Sequence, residues 1–438
     1  MKSIKKNTPD FIKGAYHKVR SFHAAAIQGF PAEKMIIIGV TGTKGKTSTS
    51  NYVWSVLSAG GYKAGLISTA LFRMGDAQEV NSHHMTMPDP YLIQKKLTEM
   101  QKAGMEIVVV EMTSEGMKQY RHTGIPIDIG IFTNLTPEHL ASHQGSFERY
   151  RKAKAPLFKA LNHQPRELYG KKIVPTIIAN ADSEHAEYYL GFKAPRKITF
   201  GIEKGEFRAT GITADRAGTS FLIGNEKIEL PIPGNFNVYN ALPAFIVGRI
   251  LEIPIKKIKE GLASLTVIPG RMELISEGQD FTVVVDYAHE PVSLSALLAA
   301  ALTLKEPNGK IILLIGVIGG GRESRKPLTR IAAAKADMLI ITNEDPYDEN
   351  PEALIAELSE TAQAEGKRTG ENLFPVLSRS EGIRKALFLA QRGDIVLISG
   401  KGAEQTMMTR SGAVPWNERE IVRSLLRESI MSNGANKQ

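Results

Sequence analysis

The amino-acid sequence predicts an α/β protein with two successive domains, each built around a mostly parallel sheet. Apolar runs of strand length alternate with longer helical patterns from Met35 onward, which is typical of parallel βαβ units with helices on both faces. A glycine-rich loop follows the first of these runs, as in nucleotide-binding domains. The alternation changes character near residue 195 and restarts near residue 267, which indicates a second domain.

The predicted first domain covers residues 35–267 and is a central ATP-binding P-loop domain. Its strands are the runs "KMIIIGV", "EIVVVEM", "DIGIFTNL" and "VPTIIAN". Helical patterns such as "TSTSNYVWSVLSAGGY" and "DPYLIQKKLTEMQKAG" separate them. Residues 195–232 alternate apolar and polar side chains and contain many glycines, so we expect an antiparallel extension of this domain.

The predicted second domain covers residues 268–438 and is Rossmann-like. Its strands are "FTVVVDYAH", "KIILLIGVIG", "DMLIITNEDP" and "GDIVLISGKG", again separated by helical stretches. Residues 1–34 form a short basic helical segment ahead of both domains. We expect it to dock on the first domain rather than on a membrane surface, through the apolar side chains Phe11, Ile12, Tyr16, Val19 and Phe22.

Composition limits the possible functions. The chain has 438 residues, no cysteine and a net charge of +9, which excludes disulfides and cysteine-based zinc sites. The charge fits an anionic substrate or nucleotide, and equally a solubilising surface. The sequence contains no basic cluster with interleaved aromatics, which is the pattern that would indicate nucleic-acid binding. No apolar run approaches the roughly 20 residues of a membrane span, and the start lacks a signal-peptide core. We therefore expect a cytoplasmic protein, without membrane insertion, that is a monomer by default.

The stretch "GVTGTKGKTS" reads as a phosphate cradle. The usual loop is G-x-x-x-x-G-K-[ST], but Val40 occupies the position of its first glycine. A strand, a loop and a helix start still follow one another, which aims backbone N–H groups and the helix dipole at one point. We expect Lys46 to reach the outer phosphates and Thr47 to bind Mg²⁺. The expected cradle residues are Gly42, Thr43, Lys44, Gly45, Lys46, Thr47 and Ser48.

Polar side chains follow two other predicted strands. Glu111 ends the run "IVVV", and a carboxylate there can hold the metal of a P-loop site or cap the next helix. Asn134 and His139 follow the run "DIGIF", at the sheet edge where α/β proteins bind ligands. His139 and Lys154, taken alone, are ordinary core or surface residues.

Eight ordered blocks resemble the Mur ligase family. They are "GVTGTKGKTS", "VVVEMTSEGM", "FTNLTPEHLASH", "YRKAKAPLF", "PGNFNVYNALPA", "VIPGRMELI", "VVVDYAHEP" and "GDIVLISGKGAE". The resemblance extends from Ile36 to about residue 425, and the short loop is the form that this family uses. It is strongest to the muramoyl-tripeptide synthetases, which add the third residue of the peptidoglycan stem.

The resemblance implies an ATP-dependent amide ligase. A substrate carboxylate attacks the γ-phosphate to give an acyl phosphate, which an amine then displaces. Thr47 and Glu111 would serve one Mg²⁺, and Glu111, His139 and a carbamylated Lys154 a second. Glu138 stands where the family has aspartate, and can still act as a base or as an acceptor behind the site.

The same resemblance assigns nucleotide contacts. Asn134, Asn237 and Asn240 would lie near the nucleotide, the last two at adenine. In the second domain, Arg271 would contact phosphate and Asp286 the ribose. The alternatives are helix capping for Asn237 and Asn240 and a surface salt bridge for Arg271.

Other positions concern the two substrates. Thr86 would touch the acyl substrate, and Glu404, in "GKGAE" with Gly400, the ammonium of the incoming amino acid. Tyr347 replaces the arginine that binds diaminopimelate in the family, which disfavours that amine unless Arg322 or Arg325 compensates. Glu344 and Asp345 would suit a basic side chain such as lysine.

Only about 35 residues precede the loop, where the family has a domain that grips the uridine nucleotide. The acceptor is therefore either a nucleotide-sugar peptide, for which a partner would supply that domain, or a small acid. The alternatives are a folylpolyglutamate-type ligase on a non-UDP acid and an ATP-binding protein without turnover.

Overall fold

The computed structural model describes residues 10–81, 85–138 and 140–435, and the chain divides into two compact units. The first unit contains the chain up to Thr213, Thr219–Pro231 and Asn235–Thr266. The second contains two short segments, Ala214–Gly218 and Ile232–Gly234, and everything from Val267 onward. Both units combine helices with a mostly parallel sheet, so the predicted α/β class is confirmed.

The first unit is built on one large sheet. Its strands are β1 (Ile36–Thr41), β2 (Ala64–Ile67), β3 (Leu71–Met74), β4 (Ala77–Val80), β5 (Ile107–Glu111), β6 (Ile129–Phe132), β9 (Thr176–Asn180), β10 (Arg196–Gly201), β11 (Phe207–Asp215), β12 (Gly218–Ile223) and β13 (Glu226–Leu230), with β7 (Arg166–Leu168) and β8 (Lys171–Ile173) forming a separate hairpin. The order across the sheet is β13-β12-β11-β10-β9-β6-β1-β5-β2-β3-β4. The neighbours from β10 through β2 pair in parallel.

The expected antiparallel extension is only partly correct. Strand β10 pairs in parallel with β9, and β11 pairs in parallel with β10. At this edge of the sheet, the β12–β13 hairpin is antiparallel. The glycine-rich alternation marked strands with one solvated face, but it does not by itself encode strand direction.

Helices cover the faces of the first sheet. They are α1 (Asp10–Ile27), α2 (Lys46–Ala59), α3 (Pro90–Lys102), α4 (Ser114–Lys118), α5 (Phe147–Lys159), α6 (Ala186–Leu190), α7 (Phe236–Ile250) and α8 (Ile255–Ser264). Strands β1, β5 and β6 are buried along their whole length, as expected for central parallel strands. Their shared carboxyl edge carries the loop that joins β1 to α2.

The second unit has a six-stranded sheet of order β14-β15-β19-β16-β17-β18. Its elements are β14 (Glu273–Ile275), β15 (Thr282–Asp286), α9 (Pro291–Leu304), β16 (Ile311–Ile318), α10 (Arg325–Lys335), β17 (Met338–Asp345), α11 (Pro351–Ala364), β18 (Leu373–Val376), α12 (Arg379–Leu389), β19 (Ile395–Ser399), β20 (Thr406–Thr409), β21 (Gly412–Pro415) and α13 (Glu418–Ala435). All pairs are parallel except β14–β15, and β20 and β21 form a separate hairpin.

The N-terminal helix docks on the first unit, as expected, but not through its large apolar side chains. Ile12, Tyr16, Val19 and Phe22 all lie on the exposed side of α1, and the side chain of Phe11 is outside the described part of the chain. The helix packs instead through small residues, among them Ala24 and Ala25, which are fully buried. The apolar periodicity identified the helix correctly but not which face turns inward. Among the described residues, no helix is long and apolar enough to cross a membrane.

Candidate active site

The loop between β1 and α2 closes tightly on its neighbours. The backbone N–H of Thr43 donates to the carbonyl of Asn134 at 2.9 Å, and that of Lys44 to the Asn134 side-chain oxygen at 2.9 Å. Gly45 has φ +79°, and a Cβ there would lie 2.4 Å from Oδ1 of Asn240. Glycine is therefore required at this position on both conformational and steric grounds. Asn134 and Asn240 are thus in direct contact with the loop.

Two lysines of the loop take different positions. Lys46 begins α2 and donates to the carbonyl of Thr43 at 2.9 Å, so its ammonium curls back over the loop. Lys44 forms an ion pair with Glu138 at 2.8 Å. The Glu138 side chain is only 5% exposed, so the carboxylate lies under the loop. His139, the next predicted residue, is outside the described residues.

Thr47, Glu111 and Thr69 form a group of oxygen and nitrogen atoms beneath the loop. The Thr47 hydroxyl donates to both carboxylate oxygens of Glu111, at 3.0 and 3.1 Å. The backbone N–H of Thr69 donates to Oε2 of Glu111 at 2.8 Å. Thr69 also exchanges a hydrogen bond with the hydroxyl of Thr86 at 2.7 Å. The predicted residues Thr47, Glu111 and Thr86 are therefore connected, through a threonine that the sequence prediction missed.

A hydroxyl and a carboxylate in contact are hard oxygen ligands of the kind that Mg²⁺ takes. Glu111 is 1% exposed, and its described partners are hydrogen-bond donors only, so it has negative charge to offer a cation. Within residues 10–81, 85–138 and 140–435, no group of three or more His, Asp or Glu side chains is arranged to hold a metal. The pair Thr47–Glu111 fits a magnesium ion, with the remaining ligands coming from elsewhere.

Lys154 reaches the loop from α5. Its Nζ donates to the carbonyl of Gly42 at 2.8 Å and lies 4.6 Å from the centre of the Tyr150 ring. The side chain is buried, and burial followed by the nearby charge of Lys46 lowers the pKa of Lys154 well below its usual value. A lowered pKa increases the share of the lysine that is a neutral amine, and a neutral amine is nucleophilic.

Tyr150 links α5 to the loop and was also missed by the sequence prediction. Its hydroxyl shares a hydrogen bond with the Thr43 hydroxyl at 3.0 Å, and burial raises its pKa. Ser48, in the first turn of α2, is buried. Asn240 donates to the side-chain oxygen of Asn237 at 3.2 Å, so these two asparagines of α7 form a pair. Tyr150 and Thr69 could not have been identified from the sequence, because a single tyrosine or threonine belongs to no motif with a recognisable spacing.

In the second unit, Asp286 supports a turn. One carboxylate oxygen accepts from the backbone N–H of Met272 at 2.7 Å and the other from that of Ala288 at 2.8 Å. Arg271 lies 4.3 Å from the ring centre of Tyr287, a cation–π contact. The predicted residues Arg271 and Asp286 are therefore neighbours, and Asp286 fixes the backbone next to Arg271.

Tyr287 connects this turn to Glu404. Its hydroxyl donates to Oε1 of Glu404 at 2.8 Å, while Oε2 of Glu404 pairs with Lys401. Burial, followed by the Glu404 carboxylate, raises the pKa of Tyr287 well above its usual value, so the phenol stays a neutral donor. Tyr287 and Lys401 were not singled out from the sequence, although both lie within the blocks "DYAH" and "GKGAE".

Asp345 is neutralised by Lys401. Both Asp345 carboxylate oxygens accept from the Lys401 ammonium, at 2.9 and 3.0 Å, and Oδ1 also accepts from the backbone N–H of Met408 at 2.7 Å. Lys401 is fully buried. This geometry favours Asp345 as a structural partner of Lys401 over a free carboxylate waiting for a basic substrate.

Glu344 is buried against two glycines. A Cβ on Gly316 would lie 2.0 Å from its Oε2, and one on Gly400 would lie 2.2 Å away. Arg379 approaches it at 3.8 Å. At 3% exposure, Glu344 has no open side for an incoming amino acid, so its burial disfavours the predicted substrate contact. Gly400 is required here because it leaves room for this carboxylate.

Glu344 should make the second unit less stable as the pH rises. Burial raises its pKa from 4.5 to about 7, so between those values the folded state holds a proton that the unfolded state has lost. Stability therefore falls from about pH 4.5 to pH 7, by roughly 3 kcal/mol at 1.36 kcal/mol per pKa unit. We expect the stability of Glu344→Gln, relative to the wild type, to increase by about that amount as the pH rises from 5 to 8. Urea unfolding followed by Trp416 fluorescence in a Trp54→Phe background measures it, and equal pH profiles for both proteins would contradict it.

The two arginines proposed to compensate for Tyr347 are both paired. Arg322 contacts Glu290 at 3.3 Å, and Arg325 contacts Glu349 at 3.1 Å. Arg322 is the more exposed of the two, at 34% against 19%. Arg322 can therefore exchange its partner for a substrate carboxylate more easily than Arg325 can.

Comparison with known proteins gives consistent matches along the chain. The Mur ligase middle domain matches residues 40–248, and the Mur ligase glutamate ligase domain matches residues 270–402. The UDP-N-acetylmuramyl-tripeptide synthetase of Roseiflexus sp. (strain RS-1) is 36% identical over 92% of this chain and 81% of its own length. The UDP-N-acetylmuramoyl-L-alanyl-D-glutamate–2,6-diaminopimelate ligase of Geobacillus kaustophilus is 33% identical over 92% and 81%.

Solved structures share the fold. A UDP-N-acetylmuramoyl-L-alanyl-D-glutamate–2,6-diaminopimelate ligase superposes with a TM-score of 0.62 at 24% identity, covering 96% of this chain and 84% of its own. E. coli FolC, bound to DHPP and ADP, superposes with a TM-score of 0.68 at 18% identity, covering 98% and 100%. At these identities the two structures carry information on the fold alone.

Proposed function

Because the chain belongs to the Mur ligase family, we propose that it joins an acidic acceptor to an amino acid in an ATP-driven reaction of peptidoglycan stem synthesis. The acceptor is a UDP-N-acetylmuramoyl dipeptide, and the amino acid becomes the third residue of its peptide. The relatives with the names given above support this substrate class. The observation that carries the proposal is the meeting of Lys46, Thr47, Glu111 and Lys154 at the loop between β1 and α2.

The first role of this loop is to bind the triphosphate. Backbone N–H groups at the start of α2 and the Lys46 ammonium supply positive potential at one place. Lys44 forms an ion pair with Glu138 at 2.8 Å. It would exchange this carboxylate for a phosphate oxygen, since the carboxylate and the phosphate are both anions. Asn240, which lies next to Gly45, and its hydrogen-bond partner Asn237 are proposed to line the side on which the base is held.

Thr47, Glu111, a modified Lys154 and His139 would hold magnesium, which withdraws charge from the phosphate oxygens when bound. The acceptor carboxylate attacks the γ-phosphorus, the bond to ADP breaks, and an acyl phosphate forms. The amino group of the amino acid then attacks the acyl carbon, and phosphate leaves. Lys46 lowers the repulsion between the two anions that must meet in the first step.

Lys154 is suited to carry a carbamate. Its neutral amine adds to CO₂, a proton is released, and the product is an anion on the lysine. An ammonium beside Lys46 would repel a cation, whereas a carbamate would attract one. The low pKa of Lys154 and its burial favour the modified form in the active enzyme.

In the second unit, Arg271 and Asp286 are proposed to bind phosphate and ribose, and Glu404 the ammonium of the amino acid. Tyr287 and Lys401 fix the Glu404 carboxylate. Since Lys401 already neutralises Asp345, the acids here do not select a lysine side chain. The amino acid is then chosen by other groups, of which Arg322 is the most exposed cation named above.

The test is phosphate release from ATP and Mg²⁺ with UDP-N-acetylmuramoyl-L-alanyl-D-glutamate, offering lysine, diaminopimelate and glutamate in turn. We expect release that requires both the acceptor and one of the diamino acids, and a tripeptide product of the corresponding mass. Lys46→Ala should abolish release, while Lys102→Ala, an exposed lysine of α3, should not change it.

Two results would overturn the proposal. Release with a folate and glutamate, but not with the muramoyl dipeptide, would assign a folylpolyglutamate-type ligase. Tight ATP binding without release for any pair of substrates would assign a nucleotide-binding protein without turnover.

A further inference from the structure

The outer face of α1 carries large apolar side chains that are exposed in the described part of the chain. Ile12, Tyr16, Val19 and Ile27 follow one another at spacings of four, three and eight residues, so they form one stripe along the helix. Their exposures are 45%, 39%, 69% and 56%. Phe22, at 55% exposure, lies beside the stripe. Single exposed apolar residues are normal on a protein surface, but a contiguous stripe indicates a binding surface.

The opposite face fixes the orientation of the helix. Ser21, Ala24 and Ala25 are buried there. Toward α3, Arg20 forms an ion pair with Asp89, and His23 hydrogen-bonds the Tyr91 hydroxyl at 2.9 Å. The buried small residues and the ion pair of Arg20 therefore hold the apolar stripe outward, and His23, which lies within the stripe between Val19 and Ile27, borders α3.

Positive charge is concentrated in the same segment. Residues 1–30 contain six lysines and arginines and a single acidic residue, Asp10. Three of the cations lie on α1 itself, namely Lys13, Lys18 and Arg20, of which Arg20 is the one paired with Asp89. Long basic side chains beside an apolar stripe can reach anionic groups while the stripe is buried.

We propose that the α1 outer face, defined as Ile12, Tyr16, Val19, Phe22 and Ile27, binds the surface of a membrane that contains anionic lipid. Apolar side chains enter the headgroup boundary and the basic side chains pair with lipid phosphates, as in interfacial amphipathic helices. A second copy of this chain would bring the same positive charge to the face, which opposes association. Protein interfaces also deplete lysine at their centres, so a lipid surface fits this combination better.

Binding of this kind is reversible and depends on salt, because one short helix gives modest affinity. It places a ligase at the membrane without inserting it, and it does not depend on the proposed function. The test is co-sedimentation of the full chain with vesicles of phosphatidylcholine alone and of phosphatidylcholine with 30% phosphatidylglycerol. We expect binding to the anionic vesicles only, which weakens as NaCl rises.

Val19→Asp should lower partition into the anionic vesicles at least tenfold, because it places a negative charge in the centre of the stripe. Phe388→Asp is the matched control, since Phe388 is 80% exposed on α12. This variant should bind the vesicles as the wild type does. Circular dichroism checks that both variants fold. Equal sedimentation of wild type and Val19→Asp, or equal binding to neutral vesicles, would overturn the proposal. A wild-type dimer that Val19→Asp converts to a monomer, without vesicle binding, would assign the face to self-association instead.

Discussion

Replacing Lys154 by alanine is expected to lower kcat about a thousandfold while the protein stays folded. The side chain is buried at the loop between β1 and α2, with Nζ 2.8 Å from the carbonyl of Gly42, and burial lowers its pKa, which favours the neutral amine. If the amine carries a carbamate, its loss removes one anionic ligand from the magnesium site. Removing one group that stabilises transition-state charge typically costs about 10²–10³ in kcat. Steady-state phosphate release with saturating substrates measures the loss.

The carbamate itself can be observed separately from activity. Protein equilibrated with ¹³C-bicarbonate should give one carbamate signal in the ¹³C NMR spectrum of the wild type and none in Lys154→Ala. Lys159→Ala, an exposed lysine of the same helix, is the matched control and should keep both the signal and the activity. Full activity in a wild-type sample without a carbamate signal would contradict the assigned role of Lys154.

The sequence predicted the architecture because local periodicity and strand burial agree in this chain. Runs such as Ile36–Thr41 and Ile107–Glu111 are apolar except at their last residue and are buried at every position, as is typical of central parallel strands. The order of strand, glycine loop and helix start then predicted where phosphate would bind. The resemblance to Mur ligases is confirmed by the family matches, and with it the class of ATP-dependent acid–amino-acid ligase.

Features that depend on tertiary contacts were not predictable in the same way. The exposed stripe of α1 has the spacing of a buried one, and the burial of Ala24 and Ala25, with the ion pair of Arg20, reveals which face points inward. Thr69 reaches Glu111, and Tyr150 reaches the loop, from distant positions in the sequence. The pairing of Asp345 with Lys401 likewise joins residues 56 positions apart, so an acid that looked available in the sequence is neutralised in the fold. The roles of the individual site residues stay predictions.

Replacing Arg379 by methionine is expected to destabilise the second unit by about 3–5 kcal/mol, the usual cost of removing one partner from a buried ion pair. The guanidinium contacts both carboxylate oxygens of Glu418 at 2.6 Å and the carbonyl of Ser399 at 2.9 Å. Ser399 precedes the loop of Gly400, Lys401 and Glu404, so the same change loosens the proposed amino-acid site. Without Arg379, the Glu418 carboxylate, which is fully buried, loses its opposite charge. Urea unfolding followed by Trp416 fluorescence in a Trp54→Phe background isolates the second unit.

A second substitution separates the charge effect from packing. In Arg379→Met with Glu418→Met no buried charge is left unpaired between these residues, so most of the lost stability should return. The matched control is Arg384→Met, which breaks the exposed pair with Glu428 at 3.1 Å and should change stability by no more than about 0.5 kcal/mol. If the double variant is as unstable as Arg379→Met alone, then the hydrogen bond to Ser399, rather than the ion pair, holds this loop. In that case the KM for the amino acid should rise equally in both variants, because Ser399 loses its donor in each.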